Sequence, residues 1–193
     1  MNTPNKLTIA RIIATPFFMA ALMIEFPFHY TVALILFIAA SLTDMIDGKM
    51  ARKYNMITDF GKFLDPLADK MLTTAAFLGF IKMGIGWQVT WIAFIVLFRE
   101  FLISSLRLVV VSSGGKVIAA NMWGKCKTVS QMAGIILALF AYVLISDFGI
   151  NNVVFVSVCN IIISILFWAS AVLCIISGVI YLKDSKEYID PSK

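Results

Sequence analysis

Asp44-Met45-Ile46-Asp47-Gly48-Lys49-Met50-Ala51-Arg52, then eight residues, then Gly61, Asp65 and Asp69: this stretch sets four carboxylates between two long apolar runs. With Asp44 as origin and about 100° per residue, Asp47 falls near 300°, Gly48 near 40°, Ala51 near 340° and Arg52 near 80°. All five share one helical face roughly 140° wide. Gly61, Asp65 and Asp69 are spaced by four and form a narrow strip on a second helix. Two helices therefore turn their acids to a common seam, with only Gly and Ala between them. The seam leaves room for a bulky ligand.

Carboxylates packed in this way repel one another and cannot all stay ionised without a counter-charge. Bare charge beside a membrane is costlier still. One or two divalent cations would remove the conflict. All-oxygen donors select hard ions, Mg²⁺ or Mn²⁺, over zinc, and the block contains neither Cys nor His. Mg²⁺ commonly completes its shell with water and substrate phosphate, so the acids imply a phosphate-bearing ligand that Arg52 could help to hold. The bland alternative, four solvated Asp residues in a loop, leaves their shared helical faces unexplained.

Outward from the seam the chain is strongly apolar. Of 193 residues, 61% are hydrophobic and 14% charged, the composition of a polytopic membrane protein rather than a soluble domain. The net charge of +5 comes from basic residues lying between apolar runs, where they anchor to an anionic leaflet; no nucleic-acid partner is expected. The expected fold is all-α with six transmembrane helices and both termini cytoplasmic, a single domain over 1–193. The spans run to about Met23, then over about Thr31–Lys49, Lys62–Lys82, Trp87–Val111, Val129–Ile145 and Asn152–Leu182, the last long enough to tilt or break. In that layout Lys6, Arg11, Lys49, Arg52, Lys53, Lys62, Lys70, Arg107, Lys116, Lys125, Lys127, Lys183, Lys186 and Lys193 face the cytoplasm. Of the 16 basic residues only Lys82 and Arg99 fall elsewhere, which satisfies the positive-inside rule. All four acids then lie at the cytoplasmic mouth. A secretory signal at the N-terminus is disfavoured by Pro16 and by the lack of a small-residue cleavage site. Cys126, Cys159 and Cys174 show no metal or disulfide spacing and read as inert thiols.

Other positions admit two readings each. Thr8 and Arg11 are i, i+3 neighbours that either face a ligand headgroup or, for Arg11, snorkel to the surface. His29, in a short turn, is expected to be solvated. Asp59 lies off the Gly61 strip and reads as a cap or loop residue, and Pro66 fits an early helical turn. Arg99, Glu100 and Arg107 fall within a span, where charge must be paired or line a polar cavity. Gly124-Lys125-Cys126-Lys127-Thr128, opening a helix, offers amide groups and lysines to an anion. It lacks the strand and glycine spacing of a P-loop, and inside-positive topology explains the same lysines.

The pattern Asp44-x₂-Asp47-Gly48-x₂-Ala51-Arg52-x₈-Gly61-x₃-Asp65-x₃-Asp69 resembles the complete signature of the CDP-alcohol phosphotransferase family, and the six-span layout is similar to that family's fold. The resemblance implies transfer of a phosphatidyl or substituted phosphate group from a CDP-linked donor to an alcohol, with release of CMP. It assigns Asp44, Asp47, Asp65 and Asp69 to a two-metal centre of Mg²⁺ or Mn²⁺, with Asp69 also the general base. Gly48, Arg52, Thr58 and Gly61 would contact the CDP moiety, with Asn5 and Thr8 closing over it.

Further stretches are similar to the bacterial phosphatidylglycerophosphate-forming branch of that family. They are Pro4-Asn5-x-Leu7-Thr8-x₂-Arg11, Leu64-Asp65-Pro66-Leu67-Ala68-Asp69-Lys70, Arg99-Glu100 with Ser105-Leu106-Arg107, and Gly124-Lys125-x-Lys127-Thr128. That likeness implies CDP-diacylglycerol as donor and sn-glycerol 3-phosphate as acceptor, in a homodimer within the bacterial cytoplasmic membrane and its lipids. Arg99, Arg107, Lys125 and Lys127 would hold the acceptor phosphate, a charge that serine, choline or ethanolamine would not require. Inositol phosphate and phosphatidylglycerol remain as alternative acceptors. An intramembrane prenyltransferase and a divalent-cation transporter remain as alternative functions, although a transporter would place its acids near the bilayer midplane.

Overall fold

The computed structural model describes residues 2–53, 58–112, 122–150 and 152–186, the side chains of 49, 51–53, 59 and 62 excepted. Among the described residues every regular element is a helix: α1 Thr3–Met23, α2 His29–Lys53, α3 Asp59–Met83, α4 Val89–Ser112, α5 Met122–Tyr142 and α6 Val153–Asp184. A five-residue π-helical turn, Val143–Asp147, prolongs α5. Four segments among the described residues are long and apolar enough to cross a membrane: Thr3–Met23, His29–Gly48, Met122–Asp147 and Val153–Asp184. The other two helices carry ionisable groups along their length, Asp65, Asp69, Lys70 and Lys82 in α3 and Arg99, Glu100 and Arg107 in α4.

Local chemistry fixes the helix ends. Asn2 caps α1 by accepting the Asn5 N–H at 3.3 Å, and Pro4 stands in the first turn, where its missing N–H costs nothing. Thr58 Oγ1 caps α3 by accepting the Gly61 N–H at 3.0 Å. The cap is thus Thr58, and Asp59 is the first residue of the helix. Because α3 starts earlier than expected, Pro66 lies in its interior, where it removes one i→i−4 bond. Gly84, at φ 66°, ends α3 in the left-handed conformation that glycine adopts without strain.

Two other expectations shift, for α5 and His29, and α6 agrees with the tilting alternative. α5 begins at Met122, so Gly124 to Thr128 lie within its first turns; the stretch 113–121 falls outside the described residues. α6 runs unbroken for 32 residues. His29 opens α2 rather than sitting in a loop, and its Nδ1 is 3.0 Å from the Ala21 carbonyl oxygen.

The chain packs as two units, Met1–Ile85 with Ile135–Asn160 and Gly86–Gly134 with Ile161–Lys193. In the first, α1 lies against α2 and α3, with Phe18, Phe37, Phe77 and Phe80 buried. Lipid tails are as apolar as Leu, so close packing rather than water exclusion must hold such helices together. Gly79 provides that closeness: a Cβ there would lie 2.5 Å from Leu22 Cδ1. Asp147 accepts hydrogen bonds at 2.7 Å from both the backbone N–H and the hydroxyl of Thr31, tying the π-turn to the start of α2. In the second unit Ile103 and Leu106 of α4 pack with Tyr181 of α6, and Gly134 of α5 leaves room for the Phe167 ring.

Candidate active site

One face of α1 carries Asn5, Thr8, Arg11 and Thr15, spaced 3, 3 and 4, in a helix that is mostly apolar beyond Lys6. All four are buried. That spacing keeps them on one side of the helix, and this side meets the acids of α2 and α3. Arg11 Nη1 donates to Asp44 Oδ1 at 2.6 Å and to Asp69 Oδ1 at 2.9 Å, while Nη2 donates to Asp47 Oδ2 at 2.5 Å. The Thr8 hydroxyl has a single proton and three oxygens in reach: Asp65 Oδ1 at 2.8 Å, the Pro4 carbonyl at 3.2 Å and Asp47 Oδ2 at 3.4 Å. The shortest contact, to Asp65, takes it. Two neighbouring side chains of α1 thus touch all four signature acids.

The acids differ in exposure. The Asp47 side chain is 4% exposed, against 45% for Asp44 and 56% for Asp69. Arg11 alone carries one positive charge against the three carboxylates it contacts. Among the described residues the seam's carboxylate and hydroxyl groups offer oxygen ligands, a set whose chemistry fits Mg²⁺ or Mn²⁺. Among the described residues no three acidic, His or Cys side chains form a ready-made ion cage. Three of the acids converge instead on Arg11.

The residues expected to meet the CDP moiety border this seam. Asn5 Nδ2 donates to Thr58 Oγ1 at 3.0 Å, joining the start of α1 to the cap of α3. Gly61 lies beneath that pair: a Cβ there would stand 2.9 Å from Asn5 Oδ1 and 3.2 Å from Thr58 Oγ1. Gly48 follows Asp47 on α2 and is half-buried. The side chain of Arg52 falls outside the described residues.

The four cations expected at the acceptor phosphate lie in the second unit and do not form one cluster. Glu100 Oε1 accepts from Lys127 Nζ at 2.6 Å and from Arg99 Nη1 at 3.3 Å. Arg99 Nη2 also donates to Ser177 Oγ at 2.9 Å. Arg107 packs over the Tyr181 ring, 5.8 Å from its centroid, and Lys125 is exposed. Glu100 is thus the partner of both Arg99 and Lys127.

A model of the CDP-alcohol phosphatidyltransferase family matches residues 1–176. The chain belongs to that family. Among its relatives are proteins named CDP-diacylglycerol–glycerol-3-phosphate 3-phosphatidyltransferase. The Bacillus subtilis protein is 36% identical over 99% of this chain and 98% of its own length. That of Rickettsia bellii is 38% identical over 97% of both chains, and that of Haemophilus influenzae 35% over 96% of this chain and 94% of its own. Membership of the CDP-alcohol phosphatidyltransferases sets aside the prenyltransferase and transporter readings. The residue that sequence reasoning undervalued is Arg11, treated as a headgroup contact or a snorkelling anchor. Its signal was present: a polar stripe at helical spacing in α1, the same kind of evidence that singled out the acids.

Proposed function

We propose that this CDP-alcohol phosphatidyltransferase transfers the phosphatidyl group of CDP-diacylglycerol to sn-glycerol 3-phosphate, giving phosphatidylglycerophosphate and CMP. The relatives' common name over nearly their whole length supports the substrates. The convergence of α1, α2 and α3 on the four acids supports the place of the chemistry. The whole chain, 1–193, acts as one domain of six spans with cytoplasmic termini and works as a homodimer. Its seam opens to the cytoplasmic side of a bacterial inner membrane.

In this reading Asp44, Asp47, Asp65 and Asp69 hold two Mg²⁺ or Mn²⁺ ions. Such ions, when bound, neutralise the diphosphate and the departing CMP. Asn5, Thr8, Gly48, Arg52, Thr58 and Gly61 receive the CDP moiety. Arg99, Arg107, Lys125 and Lys127 attract the acceptor phosphate. The acceptor hydroxyl oxygen attacks the phosphatidyl phosphorus, the bond from that phosphorus to the CMP oxygen breaks, and Asp69 takes the hydroxyl proton. The exposed position of Asp69 on the seam suits an acid that must meet a diffusing acceptor.

Purified protein in detergent should release CMP only when CDP-diacylglycerol, sn-glycerol 3-phosphate and a divalent ion are all present. EDTA should stop turnover, and restored Mg²⁺ or Mn²⁺ should recover it. Mass spectrometry of products from an acceptor panel decides the acceptor. Phosphatidylinositol phosphate or cardiolipin as product would move the reading to another branch of the family.

A further inference from the structure

Arg11 is 1% exposed, and a guanidinium buried among helices is costly unless it is paired. It is paired three times, with one acid from α3 and two from α2. The three pairs are not equivalent. Asp47 is as buried as Arg11 itself, whereas Asp44 and Asp69 stand about half open to solvent. A hard divalent ion seeks the same oxygen lone pairs and binds them far closer, at about 2.0–2.2 Å. Guanidinium and metal therefore compete for Asp44 and Asp69, the pair that solvent can reach.

We propose that Arg11 is a resident cation of the seam, exchanged when a divalent ion enters. It gives up Asp44 and Asp69 to the ion and keeps its bond to Asp47 Oδ2, so that the other Asp47 oxygen is left for the metal. Arg11 is on this account a positioning residue that holds the acids of α2 and α3 in register before the metal arrives and lowers the seam's affinity for it. The inference rests on the metal reading of the proposed function, and the following experiment separates the two.

Full-length protein in detergent, without nucleotide or lipid substrate, is titrated with Mn²⁺ while free Mn²⁺ is read by electron paramagnetic resonance. Arg11→Gln should bind Mn²⁺ about tenfold more tightly than wild type, because a like charge a few ångströms away is gone. Its metal-free Tm should fall, and Mn²⁺ should raise Tm by more than it does in wild type. A merely structural Arg11 gives the opposite sign: the seam loosens and affinity drops. Arg11→Lys keeps the charge but not the fork that bridges two acids, and should fall between the two. Should Arg11→Gln fail to fold, judged by circular dichroism and gel filtration, Arg11→Lys carries the test. Affinity in the folded variant equal to or weaker than wild type overturns the exchange while leaving the metal site standing. A wild-type protein that binds no Mn²⁺ overturns both.

Discussion

Asp69 and Asp47 bring the same carboxylate into opposite surroundings, and the two should fail differently when neutralised. Asp69 lies open on the seam and shares Arg11 with Asp44; the fold does not enclose it. Asp69→Asn should therefore leave Tm nearly unchanged while cutting CMP release by about 10²–10⁴-fold, the usual worth of a positioned general base. A variant that keeps wild-type turnover would remove Asp69 from the chemistry. Asp47 is enclosed with Arg11 and within reach of Thr8. Asp47→Asn weakens the buried partner of a guanidinium that keeps Asp44 and Asp69, and should cost stability on the order of 1.5–3 kcal/mol, read as a lower denaturation midpoint in the absence of any substrate. Glu100 stands to Lys127 much as Asp47 stands to Arg11. Glu100→Gln should likewise lower Tm, whereas Arg107→Ala, which disturbs only an exposed cation on the Tyr181 ring, should raise the acceptor KM more than the donor KM.

At the scale of elements, α1 is the strut on which the seam is assembled, and two glycines of α3 set how closely it approaches. Gly79→Ala would press a methyl group against Leu22, with Cδ1 at 2.5 Å backed by Cβ at 3.2 Å and Cγ at 3.4 Å. Rotating the Leu tip relieves only the first contact, so overpacking of about 1–3 kcal/mol is expected, read as lower Tm with both KM values unchanged. Gly61→Ala acts at the other end of the same interface, on the Asn5–Thr58 pair. It should raise the donor KM severalfold with a smaller loss of Tm. The helices and their phase were legible from sequence because 3.6-residue periodicity is a property of the chain alone. It is what brings Asp44, Asp47, Asp65 and Asp69 to one seam. Less legible were features that depend on a partner distant in sequence. The Ala21 carbonyl that receives His29 and the Glu100 carboxylate that claims both Arg99 and Lys127 leave no periodic trace. The early start of α5 escaped for a different reason: hydropathy marks only the apolar run from about Val129, whereas the polar turns from Met122 to Thr128 belong to the same helix.

For the whole molecule the proposed chemistry requires the seam to face the cytoplasm, and the chain offers its own reporters of orientation. Along α1, Arg11 and Met23 are twelve residues apart, about 18 Å of helix rise. Lys82 Nζ donates to the Met23 carbonyl at 2.7 Å, so the first unit has an acid-rich end and an opposite end where Lys82, His29 and Asp147 make the ties and Glu25 lies nearby. In the six-span layout proposed above, the acid-bearing end of α1 and the start of α5 face the cytoplasm, and Glu25 faces the other side. Cys126, near the start of α5, is exposed, whereas Cys159 is half-buried and Cys174 buried. A membrane-impermeant maleimide should therefore modify Cys126 in inverted vesicles and not in intact cells, with Cys126→Ser abolishing the signal. In that Ser background, Glu25→Cys should show the reverse pattern. Modification of Cys126 from outside intact cells would turn the molecule over and carry the carboxylates away from the cytosolic nucleotide pool. A phosphatidyl transfer that releases CMP could not then proceed as proposed, however well the acids bind metal.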